Sequence, residues 1–388
     1  MIPYSMQNIA DDDIKSVVKV LKSKILTQGK EVVKFEKNIA KFVGSKYSIA
    51  VSSASAALHL SCLALELKKN EILWTVPNTF IASASCALHC QAGVDFVDID
   101  EDTSNISIDK LKAKLISAKK KKCLPKVLVP VHFAGQPTQQ KEIYNLSKKY
   151  KFKIIEDASH SLGAFHKKER VGNCKWSDLT VFSFHPVKPI TTAEGGIITT
   201  NNKNHYEKLI KLRNHGISRN YKELKIKSNW YYEQQLLGFN YRMNEMQAAL
   251  GISQLKKIDK FNASRNKIAN FYFNHLKNLP IKLPLIKKEN YSSFHLFVIK
   301  VDRNIIKRSY DKIYKDLIAK GLGVNLHYLP VHLHPVFKKL GFKKGDFPIS
   351  EKHASSAFSI PVFYDLKERD QKKIIKILKK TFNTENGN

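Results

Sequence analysis

Short apolar runs alternate with amphipathic segments through the first two hundred residues, and this alternation restricts the chain to few folds. Runs at 47–53, 72–76, 94–99, 127–131, 153–155, 179–182 and 197–200 have the length and composition of strands. Most are separated by stretches with helical spacing: 56–67, a stretch carrying Cys86 and Cys90, 108–117 and 139–150. Parallel strands need crossover connections of this kind. The pattern therefore predicts an α/β fold, a mostly parallel central sheet with helices on both faces. Upstream, Asp11-Asp12-Asp13 starts a helix with Ile14, Val17, Val18 and Leu21 on one face, and a second helix ends at Gly44.

Beyond residue 200 come a helix to Asn214, a polar loop and an apolar helical stretch, 246–255. The remainder reads as a smaller α/β unit: a strand at 294–301, a helix at 306–320, a strand near Val324 and a final helix at 368–382. The boundary is expected near Lys257, inside a long connecting helix that runs towards Leu279. That gives a large domain, 1–257, and a small C-terminal one, 258–388; the 388 residues suffice for two cores.

Composition removes several classes. No apolar span approaches 20 residues; 51–67 comes nearest, and its serines and His59 suit a buried soluble helix. Met1-Ile2-Pro3-Tyr4 lacks a basic segment followed by an apolar run, so no signal peptide is expected. Five cysteines without a CxxC read as reduced thiols of a cytoplasmic protein. The formal charge of +32 raises the question of nucleic acid. The lysines are spread along the chain, however, with one dense cluster at 119–122 and no interleaved arginine and aromatic stripe. His327, His332 and His334 are loosely spaced with no carboxylate or cysteine beside them, so no metal is expected there. Neither GxxxxGK[ST] nor GxGxxG occurs, and there is no internal repeat.

The stretch from Val181 to Gly196 stands out. A short apolar run is followed by Phe184-His185-Pro186-Val187-Lys188-Pro189, then by the turn Glu194-Gly195-Gly196 and a second apolar run. Each proline fixes its own φ and biases its predecessor away from helix, so His185 and Lys188 sit on a stiff mount. A lysine so held suits a Schiff base, which needs a deprotonated amine; an ordinary loop lysine fits the local sequence too.

Three further places carry two readings each. Ser53-Ala54-Ser55 between a strand and a helix makes an anion cup of free N–H groups and hydroxyls, or plain N-capping. Phe80 lies at a strand-to-helix junction, as an active-site or a core residue. Asp157, three residues before His160, ends a strand at the sheet edge where ligands bind, or caps the next turn.

Taken jointly and in chain order, the cup, the aromatic, the carboxylate with its histidine, Ser183 and the mounted Lys188 meet the needs of pyridoxal phosphate (PLP). The phosphate needs a cup, the ring a stacking face, the pyridine nitrogen a carboxylate and the aldehyde a lysine.

Across nearly its whole length the chain resembles the fold-type I, PLP-dependent sugar-nucleotide aminotransferases of the DegT/DnrJ/EryC/StrS group. It looks most like the transaminases of pseudaminic acid biosynthesis. That likeness rests on Ile2-Pro3-Tyr4, Leu26-Thr27-Gln28-Gly29, the 182–196 stretch, Gly238-Phe239-Asn240-Tyr241-Arg242, His327-Tyr328-Leu329-Pro330-Val331-His332 and Gly345-Asp346-Phe347-Pro348. The resemblance implies amination at C4 of a UDP-linked 4-keto-6-deoxy-N-acetyl sugar, with L-glutamate as donor, in surface-sugar biosynthesis. It implies Lys188 as the Schiff-base lysine, Asp157 at the pyridine nitrogen, Phe80 on the ring and His160 near the phenolic oxygen. Ala54, Ser55 and Ser183 then hold the phosphate, with Asn240 from the other subunit of a homodimer. Tyr4, Lys24, Ile25, Leu26, Thr27, His327 and Tyr328 look like sugar-nucleotide contacts. Ser55 departs from the threonine often found there but keeps the hydroxyl.

Another nucleotide-sugar aminotransferase acting on a different keto sugar is the alternative. In related dehydratases histidine replaces the lysine, so Lys188 argues for transamination. A basic nucleic-acid-binding protein would account for the charge but not for the ordered cofactor set; neither nucleic acid nor membrane is expected as a partner.

Overall fold

In the computed structural model, which describes residues 1–219 and 222–382, the alternating runs become seven strands of one sheet. They are β1 (Tyr47–Val51), β2 (Ile72–Thr75), β3 (Gly93–Phe96), β4 (Val127–Leu128), β5 (Lys153–Asp157), β6 (Leu179–Ser183) and β7 (Gly196–Thr200). Their order is β1-β7-β6-β5-β4-β2-β3. Pairings β2–β3, β2–β4, β4–β5 and β5–β6 are parallel, whereas β7 runs antiparallel to both β6 and β1. The reason lies in the connection: only the stiff 184–195 segment joins β6 to β7, with no crossover helix to turn the chain parallel.

Helices cover both faces: α1 (Asp11–Leu21), α2 (Lys30–Val43), α3 (Ala54–Ala64), α4 (Ala82–His89), α5 (Ile108–Lys120), α6 (Gln140–Tyr150), α7 (Lys203–Arg213) and α8 (Glu245–Leu255). Successive strand residues enter opposite cores, as the pleat requires. Leu73, Val181 and Ile198 pack with Leu58 and Leu60 of α3. Phe182 and Ile197 pack with Phe35 and Ile39 of α2, and Trp74 with Leu111 and Leu115 of α5.

The connecting helix expected through Lys257 is two helices. After α8 the chain breaks at Lys256 and Lys257 before α9 (Ile258–Leu276). The Lys257 ammonium bridges Asp12 (2.6 Å) and Asp13 (2.8 Å) of α1. Ile258 and Phe261 still pack into the first core, while Ile268, Tyr272 and Leu276 enter a second; we propose this break as the boundary between two units. The second core is built on β8 (Ile281–Lys282), β9 (Phe297–Val301) and β10 (Ala357–Ile360), all antiparallel, with α10 (Tyr310–Ala319) and α11 (Glu368–Phe382). The strand expected near Val324 is only an isolated bridge, Asn325 to Ser359; the third strand is β10. Ile2 joins this unit, donating to the Gly321 carbonyl (2.9 Å) and accepting from Gly323 N–H (2.8 Å). Among the described residues no helix is long and apolar enough to cross a membrane.

One buried carboxylate ties the N-terminal helices to the sheet domain. Glu245, 2 % exposed at the start of α8, accepts from the N–H groups of Gly29 (3.0 Å), Glu31 (2.7 Å) and Val32 (3.3 Å). A glutamate from one helix thus caps the first turn of another, where free donors and the helix dipole both favour negative charge. Gly29 leaves room for it, since a Cβ there would sit 2.6 Å from Glu245 Oε2. Glu245→Ala should lower the unfolding free energy by about 2–4 kcal/mol in urea titration, with Glu245→Gln losing roughly half of that. A loss below about 0.5 kcal/mol would mean that water caps α2 equally well.

Candidate active site

A cavity of about 640 Å³ opens at the carboxyl ends of β1, β5 and β6. Tyr4, Ala54, Ser55, Phe80, Asp157, His160, Ser183, Lys188, His327 and Tyr328 all line it. These residues come from both units and from nearly the full length of the chain.

At one wall stands the first turn of α3. Ser53 is its N-cap, accepting from Ala56 N–H (3.1 Å), so the capping reading holds for Ser53. The anion-cup reading survives beside it. Among the described residues nothing accepts from the N–H groups of Ala54 and Ser55, and the exposed Ser55 lines the cavity. Gly196 allows this loop its place: a Cβ there would meet Ser53 C and O at 2.5 Å and Ala54 N at 2.6 Å. Free amides at a helix N-terminus in a polar cavity are a fit for a phosphate group.

Facing the cup is the prolyl segment. Lys188 is half-buried, and its backbone N–H donates to the His185 carbonyl (2.9 Å). Burial pulls its amine down to about 8, although the charge of Asp157 works the other way. Asp157 ends β5, 5 % exposed. Its Oδ2 accepts from Ser83 Oγ (2.6 Å), and its Oδ1 from Ser159 N (3.1 Å) and Oγ (2.6 Å). The bond from Ser159 N–H is the turn cap that the sequence allowed, and it leaves the carboxylate oriented at the cavity wall. No ion pair to Asp157 occurs among the described residues. Phe80 is not a core residue: it is 57 % exposed, its ring centroid 6.4 Å from that of Tyr328.

Three histidines complete the wall. His160 Nδ1 accepts from Ala134 N–H (3.2 Å), which fixes the proton on Nε2 and lets that nitrogen donate to Tyr328 Oη (3.0 Å). His295 lies against His160, centroids 4.4 Å apart. His327 Nδ1 meets Ser359 Oγ (2.7 Å). Burial, and then the charge of Lys188, hold His160 well below the usual range and His327 at about 3. Burial and the neighbouring His160 do the same to His295. Burial also pushes the Tyr4 and Tyr328 hydroxyls up. The three histidines thus stand beside the amine as neutral donors and acceptors. His332 turns elsewhere, to Glu351 (2.9 Å).

Lys24, Ile25, Leu26, Thr27 and Asn240 do not line this cavity. They are all exposed. Thr27 bridges to Asn244, four residues past Asn240, and the Leu26 carbonyl accepts from Glu245 N–H (3.0 Å).

Sequence reasoning passed over several lining or supporting residues. Ser159 was legible, two positions after Asp157 in an Asx-turn pattern. Ser83, the second residue of α4, His295 and Asn325 carry no local signal, because only the tertiary fold brings Ser83 to Asp157 and the other two to the cavity.

A sequence model of the DegT/DnrJ/EryC1/StrS aminotransferase family matches residues 7–379. The chain belongs to this family. It is therefore a PLP-dependent aminotransferase acting on sugars, with the fold-type I architecture. It is 39% identical over 378 residues to the UDP-4-amino-4,6-dideoxy-N-acetyl-beta-L-altrosamine transaminase of Campylobacter jejuni, covering 96% of this chain and 95% of that protein. Its fold is similar to that of Helicobacter pylori PseC, an aminotransferase involved in the biosynthesis of pseudoaminic acid. There the TM-score is 0.88 at 30% identity, over 99% of each chain. It is also similar to a putative sugar aminotransferase from Streptococcus pneumoniae in its PLP-form, with a TM-score of 0.88 at 26% identity, over 99% of each chain.

Only a neutral amine attacks the PLP aldehyde. Covalent capture of PLP by cofactor-free protein should therefore accelerate with pH and be half-maximal near pH 8, against 10.5 for an ordinary lysine. Stopped-flow absorbance reads this directly; a midpoint above about 10 would mean that the Lys188 amine is fully hydrated.

Proposed function

We propose that this enzyme aminates C4 of a UDP-linked 4-keto-6-deoxy-N-acetyl sugar with L-glutamate as donor, in pseudaminic acid or related surface-sugar biosynthesis. One observation carries the reading: a buried amine, a fixed carboxylate and an anion cup share a single cavity with Tyr4, His327 and Tyr328. The activities named for the Campylobacter and Helicobacter relatives support the choice of sugar. Free thiols support a cytoplasmic location.

In this reading the Ala54 and Ser55 N–H groups and the Ser55 and Ser183 hydroxyls would hold the PLP phosphate, and Phe80 would offer the face on which the ring stacks. Asp157, held by Ser83 and Ser159, would keep a proton at the pyridine nitrogen. PLP supplies the electron sink that lets a proton leave the carbon bearing the amino group. Lys188 Nζ would be the proton carrier at this site, since an amine poised near neutrality can both accept and donate. His160 orients Tyr328 through its Nε2–H, and with His327 and Tyr4 this wall binds and positions the sugar.

Incubation with PLP, glutamate and a panel of UDP-linked keto sugars, followed by mass analysis of the products, tests the substrate. Only the 4-keto-6-deoxy-N-acetyl members should exchange a carbonyl oxygen for an amino group, and Lys188→Ala should abolish the exchange. Conversion of other keto sugars with these left untouched would move the enzyme to a different branch of the family.

The exposed group Lys24, Ile25, Leu26, Thr27 and Asn240 supports a homodimer in which each chain completes its partner's site. Mixed dimers of Lys188→Ala and Asn240→Ala chains then contain one site with both residues intact. At limiting PLP their activity should exceed the sum of the parents. Simple additivity in proven mixed dimers would assign Asn240 to its own chain's site or to none.

A further inference from the structure

The segment that carries His327 and Tyr328 leaves the small sheet just before it reaches the cavity. Asn325 still exchanges backbone bonds with Ser359, its N–H donating (3.3 Å) and its carbonyl accepting (2.8 Å). Beyond it, the peptide between His327 and Tyr328 has no backbone partner among the described residues. Backbone groups withdrawn from water need partners, and two side chains outside the cavity supply them. His353 Nε2 donates to the His327 carbonyl (2.9 Å), and Asn78 Oδ1 accepts from the Tyr328 N–H (3.0 Å).

Both side chains are themselves fixed. Asn78 is fully buried in the loop from β2 to α4, two residues before Phe80, and the Pro77 carbonyl beside it accepts from Val331 N–H (2.8 Å). His353 is 3 % exposed, in the short helix Pro348–Ala354. A carbonyl only accepts, so Nε2 of His353 holds the proton and its Nδ1 accepts from Ser104 Oγ (3.2 Å). Burial, and then the charge of Lys300, hold this ring down to about 3, so it stays neutral. Asp98, just after β3, holds the start of the same helix, accepting from Ile349 N–H (2.9 Å), Ser350 N–H (2.9 Å) and Ser350 Oγ (2.7 Å). The peptide follows α10 in the second unit, yet Asn78, Ser104 and Asp98 all belong to the sheet domain.

Taking this wall as the sugar-binding surface of the function proposed above, we propose that His353 and Asn78 are positioning residues for it. They grip the carbonyl and the N–H of one peptide and so fix where the His327 imidazole and the Tyr328 phenol stand relative to the cofactor groups. Neither residue lines the cavity, so each acts through the peptide. The side chains of His327 and Tyr328 have anchors of their own in Ser359 and His160. Those bonds hold the ring ends; the grip on the peptide holds the backbone from which both rings project. Such precision matters, because a shift of about 1 Å can cost ~100-fold in rate.

The test compares PLP-loaded wild type with Asn78→Ala, His353→Ala and His353→Gln. Treatment with diethyl pyrocarbonate and peptide mapping by mass reads how well each imidazole is shielded. His327, 7 % exposed, should react at least about 5-fold faster in both alanine variants, while the fully buried His132 stays unmodified. The KM for the UDP-linked keto sugar should rise at least about 10-fold, while the half-reaction with glutamate, read as loss of PLP absorbance, changes by less than about 2-fold. His353→Gln, whose amide offers a donor in place of Nε2, should stay within about 3-fold of wild type in both respects. The proposal is overturned if His327 stays shielded in both alanine variants, if glutamine does no better than alanine, or if the glutamate half-reaction slows as much as the KM rises. It is overturned too if His132 reacts along with His327, since the two residues would then support the whole fold. A wild-type enzyme that converts no UDP-linked keto sugar overturns the substrate reading instead, and the shielding of His327 still decides this one. Where the alanine variants do not fold, hydrogen exchange in the wild type decides: the Tyr328 amide should be protected like those of β9, and free exchange would mean that Asn78 does not hold it.

Discussion

Keeping one lysine amine out of water is the constraint on which the site depends. Transfer from water disfavours the charged form, so the amine of Lys188 tends towards neutrality and needs surroundings that do not charge it again. The structure answers with hydrogen-bonded neutral groups: His160 and His327 locked by Ala134 and Ser359, and His295 packed on His160. Asp157, the carboxylate whose charge opposes the shift of Lys188, is occupied by two serines. Geometry does the rest. Proline on either side fixes the mount, and the antiparallel return of β7 brings Gly196 beneath the cup, where any side chain would displace it.

Much of this was legible in the chain itself. Strand length, helical spacing and the missing helix between Phe182 and Ile197 are local properties, and the sheet follows from them. Lys188 stood out because proline constrains its neighbours whatever the tertiary context. Ser53 and Asp157 carried two readings because one side chain can cap a turn and still border a cavity, and the structure uses them both ways. What stayed hidden was long-range. Ser83 meets Asp157 from 74 positions away, and Glu245 caps a helix more than two hundred positions upstream. The break at Lys257 depends on the distant aspartates of α1. The helical pattern continues through that point and gives no local sign of it.

The cavity also has a history written into its connectivity. Tyr4 forms part of its wall, and the segment carrying Tyr4 is held by backbone bonds from Ile2 to Gly321 and Gly323. A ribosome delivers Tyr4 long before those glycines, so the opening residues have no partner while the sheet domain is being made. Contacts this distant in sequence close late, since the loop entropy must be met before they reward it. A nascent or truncated chain that stops short of the glycines can assemble the sheet and still lack one wall. Possession of a finished pocket is therefore a property of both units together, since the sheet domain alone supplies the cofactor groups and leaves the wall carrying Tyr4 unbuilt.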